Sequence, residues 1–119
     1  MGDRRMAEIK TSDGSLYVYT HWTGYRLPDD TKAAIRKAEP RWDDEPYATR
    51  ILVDQLTRDS RDDETGHGLM LKPAAEDSYN NDQPSVIVDM VKRELTIINI
   101  TGRNGLAKDI TTYPFANIH

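Results

Sequence analysis

The chain contains no cysteine. That removes a disulfide scaffold, a thiol nucleophile and a thiolate zinc centre, and it fits a cytoplasmic protein. There is a single phenylalanine, and Leu, Ile, Val and Phe together supply only 23 of the 119 residues. Such a share lies near the ~20% line below which disorder is expected, but that reading also needs a large net charge. Here 16 basic and 20 acidic residues nearly cancel, leaving −4. The expectation is one folded domain, 1–119, with a thin core and long polar loops. No apolar run approaches the ~18 residues of a membrane helix, and no apolar stretch follows Met1–Met6 as a secretory signal requires. No membrane partner is expected.

A basic stripe is also missing. Residues 43–64 carry −5 and residues 76–89 carry −4, with mildly basic ends. Direct nucleic-acid binding, which relies on neutralising phosphates, is not expected. The three histidines, His21, His67 and His119, include no i, i+4 pair and no HExxH. The carboxylate-rich run 59–64 puts Arg61 at the third loop position and lacks glycine at the sixth, so it is not a calcium loop. No metal and no cofactor are expected.

Several elements are legible. Asp13-Gly14 between the extended runs 7–10 and 15–22 predicts a hairpin, because glycine tolerates the positive φ of a tight turn. In the second run Leu16, Val18 and Thr20 share one face, and Tyr17, Tyr19 and His21 the other. Bulk on both faces predicts an interior strand. Residues 27–38 read as a helix: Pro28 suits the first turn, Asp29 and Asp30 face the positive end of the dipole, and Arg36 and Lys37 the negative end. Its apolar spacing is Leu27, Thr31, Ala34, Ile35, Ala38, and Pro40 stops it. A second helix starts at a cap on Asp43 or Asp44 and runs to about Ser60. Its expected buried stripe pairs Tyr47/Ala48, Ile51/Leu52 and Gln55/Leu56, with Arg50, Asp54 and Arg58 forming ion pairs on another face.

Residues 69–72 are expected as a short strand, and 85–90 with 94–100 as strands paired across a turn near Lys92-Arg93. Asn104-Gly105 is a further turn signal, and the tail 110–119, holding Phe115, is read as an edge strand or an oligomer arm. The order ββααβββ predicts an α+β fold: an antiparallel sheet of about 4–5 strands with two helices on one face.

The candidate chemistry lies at element ends. His21 and Trp22 follow a strand, Arg41 and Trp42 precede the second helix, and Tyr47 and Arg50 lie in its first turns. Such aromatics can stack a flat ligand while an arginine meets a phosphate; they can equally seal the helix–sheet junction. Thr65-Gly66-His67-Gly68 could cradle an anion or act as a lid, or serve only as the turn after a helix. His21 with His67 could form an acid/base pair for phosphodiester hydrolysis.

Tyr19-Thr20-His21-Trp22-Thr23-Gly24, Leu27-Pro28, Arg41-Trp42-Asp43-Asp44-Glu45-Pro46-Tyr47, Arg50-Ile51 and Glu64–Gly68 resemble a small family of hypothetical proteins of bacteriophages and their hosts. The likeness spans residues 16–90 and carries no activity. It implies a habitat in which small accessory proteins often inhibit or sequester. The resulting expectation is a non-enzymatic binding protein that self-associates and takes a nucleotide-like molecule or a host protein at His21, Trp22, Arg41, Trp42, Tyr47 and Arg50, with Thr65, Gly66, His67 and Gly68 completing the site. The alternatives are a hydrolase using His21 and His67, and a protein-interaction module using the acidic helix face.

Overall fold

A computed structural model describes residues 5–20, 26–60, 62–71, 85–101 and 107–118. The fold is α+β, with two helices packed against a six-stranded sheet. The first hairpin forms as its turn chemistry dictates. Strand β1 (Arg5–Thr11) pairs antiparallel with β2 (Gly14–Thr20), and Gly14 takes φ 135°, a value open to glycine. Helix α1 spans Leu27–Lys37 and α2 spans Glu45–Thr57. After them come β3 (His67–Met70), β4 (Val86–Asp89), β5 (Glu94–Thr101) and β6 (Ala107–Pro114).

The spatial order is β3-β2-β1-β4-β5-β6. Thus β2 is interior, as its two bulky faces require, and the tail becomes the edge strand β6. The sheet departs from the expected one in two ways: it has six strands, and β1 pairs with β4 in parallel, Ala7 beside Val86 and Ile9 beside Val88. All four of these side chains are fully buried. An antiparallel expectation follows from reading neighbouring elements as hairpins; β4 instead inserts beside β1, where a strand apolar on its inner face can be covered.

One face of the sheet meets the helices. Ala7, Ile9, Val18, Val86, Val88, Leu95 and Ile97 pack with Leu27, Ala34 and Ile35 of α1 and with Ala48, Leu52 and Leu56 of α2. In α1 all of the expected inner positions, including Thr31 and the following Ala38, are buried. Thr31 can lie there because its hydroxyl donates to the Leu27 carbonyl at 2.6 Å.

The second helix needs three corrections. Its buried stripe is the single line Ala48, Leu52, Leu56: Ile51 and Gln55 are half-buried and Tyr47 is 56% exposed. One face of a helix on a sheet is about 100° wide, and the preceding neighbours fall at its margin. Asp44 occupies the N-cap position without a side-chain capping bond. The acid that acts at this end is Glu45, whose carboxylate accepts from the Ser12 amide at 3.1 Å and from Ser12 Oγ at 2.8 Å, tying the hairpin turn to the start of α2. Arg50 pairs with Asp54, but Arg58 donates to Gln55 Oε1 at 3.3 Å instead. At Arg58 the chain has left α-geometry for a tighter 3-10 turn, Arg58–Ser60, so the i, i+4 spacing no longer applies.

The turn from β4 to β5 is held by Asp89, whose Oδ1 accepts from the amides of Val91 at 3.0 Å and Lys92 at 2.9 Å. After β6 the chain folds back on its own domain. Phe115 is 2% exposed, its ring centroid lies 5.2 Å from that of Trp42, and its amide donates to the Arg93 carbonyl. Phe115 is therefore core of its own chain and no arm toward another. The Asn104-Gly105 turn signal falls outside the described residues.

Candidate functional site

Helices α1 and α2 run back and forth across the sheet, so the start of α1 and the end of α2 come together. Arg26, just before α1, donates from Nη2 to Asp59 Oδ2 at 2.8 Å and places Nε 3.6 Å from Asp30. This charge cluster fixes the 3-10 turn that ends α2. The chain then turns through Gly66, whose φ of 108° is glycine backbone, and enters β3. Because β3 pairs with β2, Thr20 opposite His67 and Val18 opposite Leu69, the side chains of His67 and Leu69 share the face of Thr20 and Val18, the helix side.

There His67 meets the end of α2. Ser60 Oγ and His67 Nδ1 are 2.6 Å apart. Around them is a depression of 260 Å³ lined by Val53, Thr57, Ser60, Asp63, His67, Gly68 and Leu69. Val53, Thr57 and Ser60 recur at helical spacing and form one wall; β3 forms the other. Thr57 donates its hydroxyl to the Val53 carbonyl at 2.7 Å, so its polar atom is already used within the helix. Asp63 and Leu69 are exposed and mark the open rim.

Electrostatics sets the state of the imidazole. Burial lowers the pKa of His67 from its ordinary 6.5; Asp59 and Asp30 pull it up and Arg26 pushes it down, and the net direction is downward. At neutral pH the ring is therefore largely neutral. Its Nδ1 is engaged by Ser60, which leaves Nε2 as the ring nitrogen for a ligand. Among the described residues, the cation that acts on His67, Arg26, is held by Asp30 and Asp59, and the rim carries the carboxylate of Asp63. Such a site accepts hydrogen bonds better than it neutralises an anion.

Of the residues expected from sequence, His67 and Gly68 line this depression, and Gly66 supplies the turn that leads into it. Thr65 lies in that turn and is exposed. His67 and Gly68 already belong to β3, so the expected cradle ends at Gly66. The aromatic group lies elsewhere. Trp42 donates Nε1–H to the Ile35 carbonyl at 2.9 Å and packs on Phe115, sealing the end of α1. Arg41 stacks 5.4 Å over the ring of exposed Tyr47. Tyr47 and Arg50 sit near the start of α2, and Ser60 follows its end, roughly 20 Å along the axis from Tyr47 at ~1.5 Å per residue. One ligand of nucleotide size does not span both groups at once. His21 and Trp22 lie outside the described residues.

Sequence reasoning passed over Ser60, Asp63, Val53 and Thr57. The only signal was the run 59–64 itself, a polar segment directly before a Gly-His-Gly turn. Its pairing with His67 depends on where β3 docks.

Among the described residues, no cluster of three or more His, Asp or Glu side chains is arranged to hold a metal ion, and no helix is long and apolar enough to cross a membrane. Comparison of the chain with protein-family models, with curated proteins and with solved structures finds no match in any of the three.

Proposed function

We propose that this chain is a small, non-enzymatic binding protein that takes an uncharged, hydroxyl-bearing molecule of the nucleoside class between the end of α2 and strand β3. The observation that carries this reading is the Ser60–His67 hydrogen bond inside the 260 Å³ depression. That volume lies just below the ~300–1,000 Å³ typical of drug-sized sites. Val53 and Leu69 offer apolar walls to a flat ring. Asp63 accepts from vicinal hydroxyls, as acids do on ribose, and His67 Nε2 supplies a polar contact. The surrounding carboxylates disfavour a phosphate. In the phage setting that the sequence resemblance implies, holding such a molecule intact withholds it from a host protein.

The test is isothermal titration of the full chain with adenosine and uridine beside their 5′-monophosphates. The nucleosides should bind and the monophosphates more weakly. His67→Ala and Asp63→Ala should each weaken binding by ~1–3 kcal/mol, the worth of a buried polar contact. Tighter binding of the monophosphates would overturn the charge argument. Silence from all four would leave the acidic surface of residues 43–64 as a contact surface for a host protein.

The same 2.6 Å contact favours a second reading, hydrolysis. Ser60 Oγ would attack the carbonyl carbon of an ester as its proton passes to Nδ1 of the neutral imidazole; the imidazolium would protonate the departing alkoxide, and water would then cleave the acyl-serine and restore Ser60. Mass spectrometry of ligand recovered after incubation separates the two. Intact ligand supports sequestration; products that vanish with Ser60→Ala support hydrolysis, since loss of a nucleophile or base costs at least ~10²-fold.

A further inference from the structure

The β6 edge of the sheet carries an inference independent of the pocket. Among the described residues, strand β6 pairs only with β5, in the register Glu94 opposite Pro114, Thr96 opposite Thr112 and Ile98 opposite Ile110. Just beyond the strand the Phe115 amide donates to the Arg93 carbonyl at 2.9 Å. In an antiparallel ladder, hydrogen-bonded and non-bonded pairs alternate. Arg93 and Phe115 being a bonded pair, Glu94–Pro114, Thr96–Thr112, Ile98–Ile110 and Ile100–Lys108 are non-bonded pairs. The backbone groups of residues 108, 110, 112 and 114 therefore point away from β5, to the open edge. Proline at 114 agrees, since an edge strand loses no ladder bond where its N–H would face outward.

We propose that this edge pairs with a second copy of itself, β6 against β6 antiparallel about a two-fold axis at Ile110. Three outward N–H groups are available, at 108, 110 and 112. Within the described strand, the register centred on Ile110 uses all three, matching 108 with 112 of the partner and 110 with 110, and it leaves Pro114 outside. A register centred on Thr111 would set Pro114 opposite 108 and lose a donor. The axis at Ile110 also brings together the two Ile110 side chains, each 62% exposed in the single chain. On the opposite face Asp109 meets Thr111 of the partner, so no like charges stand opposed there. An isologous pairing closes on itself and gives a dimer with one continuous twelve-stranded sheet. The other edge, β3, is four residues long and offers no such self-matching run.

Sedimentation velocity of the full chain up to high micromolar concentration tests this. The wild type should dimerise. Thr112→Pro removes an outward N–H, Ile110→Lys places a charge on the axis, and both should sediment as monomers with unchanged far-UV circular dichroism. Because the chain has no cysteine, Ile110→Cys gives a clean distance probe. Bonded antiparallel pairs lie ~5.5 Å apart at Cα, inside the ~4.4–6.8 Å window of a disulfide. Mild oxidation should yield a covalent dimer from Ile110→Cys and none from Tyr47→Cys. A monomeric wild type, dimers that persist in both edge variants, concentration-dependent growth beyond the dimer, or equal cross-linking of the two cysteine variants would each overturn the proposal.

Discussion

Ser60 and His67, seven residues apart, meet at 2.6 Å across the gap between the end of one helix and the first residue of an edge strand. The bond joins the 3-10 turn that closes α2 to the first residue of β3. It makes the imidazole both a structural and a chemical group, and its protonation is therefore visible in the stability of the fold.

The first expectation concerns pH. Burial holds His67 below its ordinary 6.5 in the folded chain, while the unfolded chain has the ordinary value. Between the two, the unfolded state binds the extra proton, so stability is full above 6.5 and is lost as pH falls toward the folded value. Urea midpoints measured from about pH 7.5 to 5 should fall more steeply for the wild type than for His67→Asn, the carboxylates being common to both. Parallel profiles would show that the imidazole is not held neutral.

The two glycines of the Gly-His-Gly turn should respond differently. Gly66, at φ 108°, lies where L-residues are strained, so Gly66→Ala should cost about 1–3 kcal/mol. Gly68 sits in β3, and a Cβ there would meet only Tyr19 Cδ2 at an ordinary 4.0 Å. Gly68→Ala should change stability by less than about 1 kcal/mol. Denaturant unfolding of both variants decides; equal losses would mean that the turn is not read correctly.

On α2 the contrast is between neighbours. Leu52 is 1% exposed within the main cluster, whereas Ile51 is half-buried at its margin. Leu52→Ala should cost ~2–5 kcal/mol. Ile51→Ala should cost less than half as much, because solvent already reaches part of the side chain. A larger loss at Ile51 would rotate the assigned face of the helix.

The sheet face away from the helices adds a spectroscopic check. Glu8, 8% exposed, accepts from Ser15 Oγ at 2.6 Å and stands opposite Tyr17 in the ladder. Burial first, then the charge of Glu8 and its hydrogen bond, raise the pKa of Tyr17 above 10.0. Stability from this phenol is present below pH 10 and is lost as pH rises through 10 toward the folded value. Alkaline absorbance titration should show the last tyrosine moving to lower pH in Glu8→Gln; an unmoved curve would refute the coupling.

What the sequence alone determined is what local chemistry decides. Asp13-Gly14 sets a hairpin because a positive φ suits glycine, and Leu27, Thr31, Ala34, Ile35 and Ala38 set a buried helix face because a helix repeats every 3.6 residues. The pairing across Lys92-Arg93 is legible for the same reason, with its alternation and its turn close together in the chain. The tertiary structure decided the rest. β4 joins β1 in parallel although the paired residues Ala7 and Val86 stand 79 positions apart, so no turn signal can announce the pairing. Phe115 chooses Trp42 rather than a partner chain because the end of β6 delivers it to the start of α2. The candidate site exists only because β3 docks on β2 with Thr20 opposite His67, turning the imidazole toward Ser60. Register across a sheet is a long-range choice: a slip of one residue would send His67 to the other face and leave Ser60 without it.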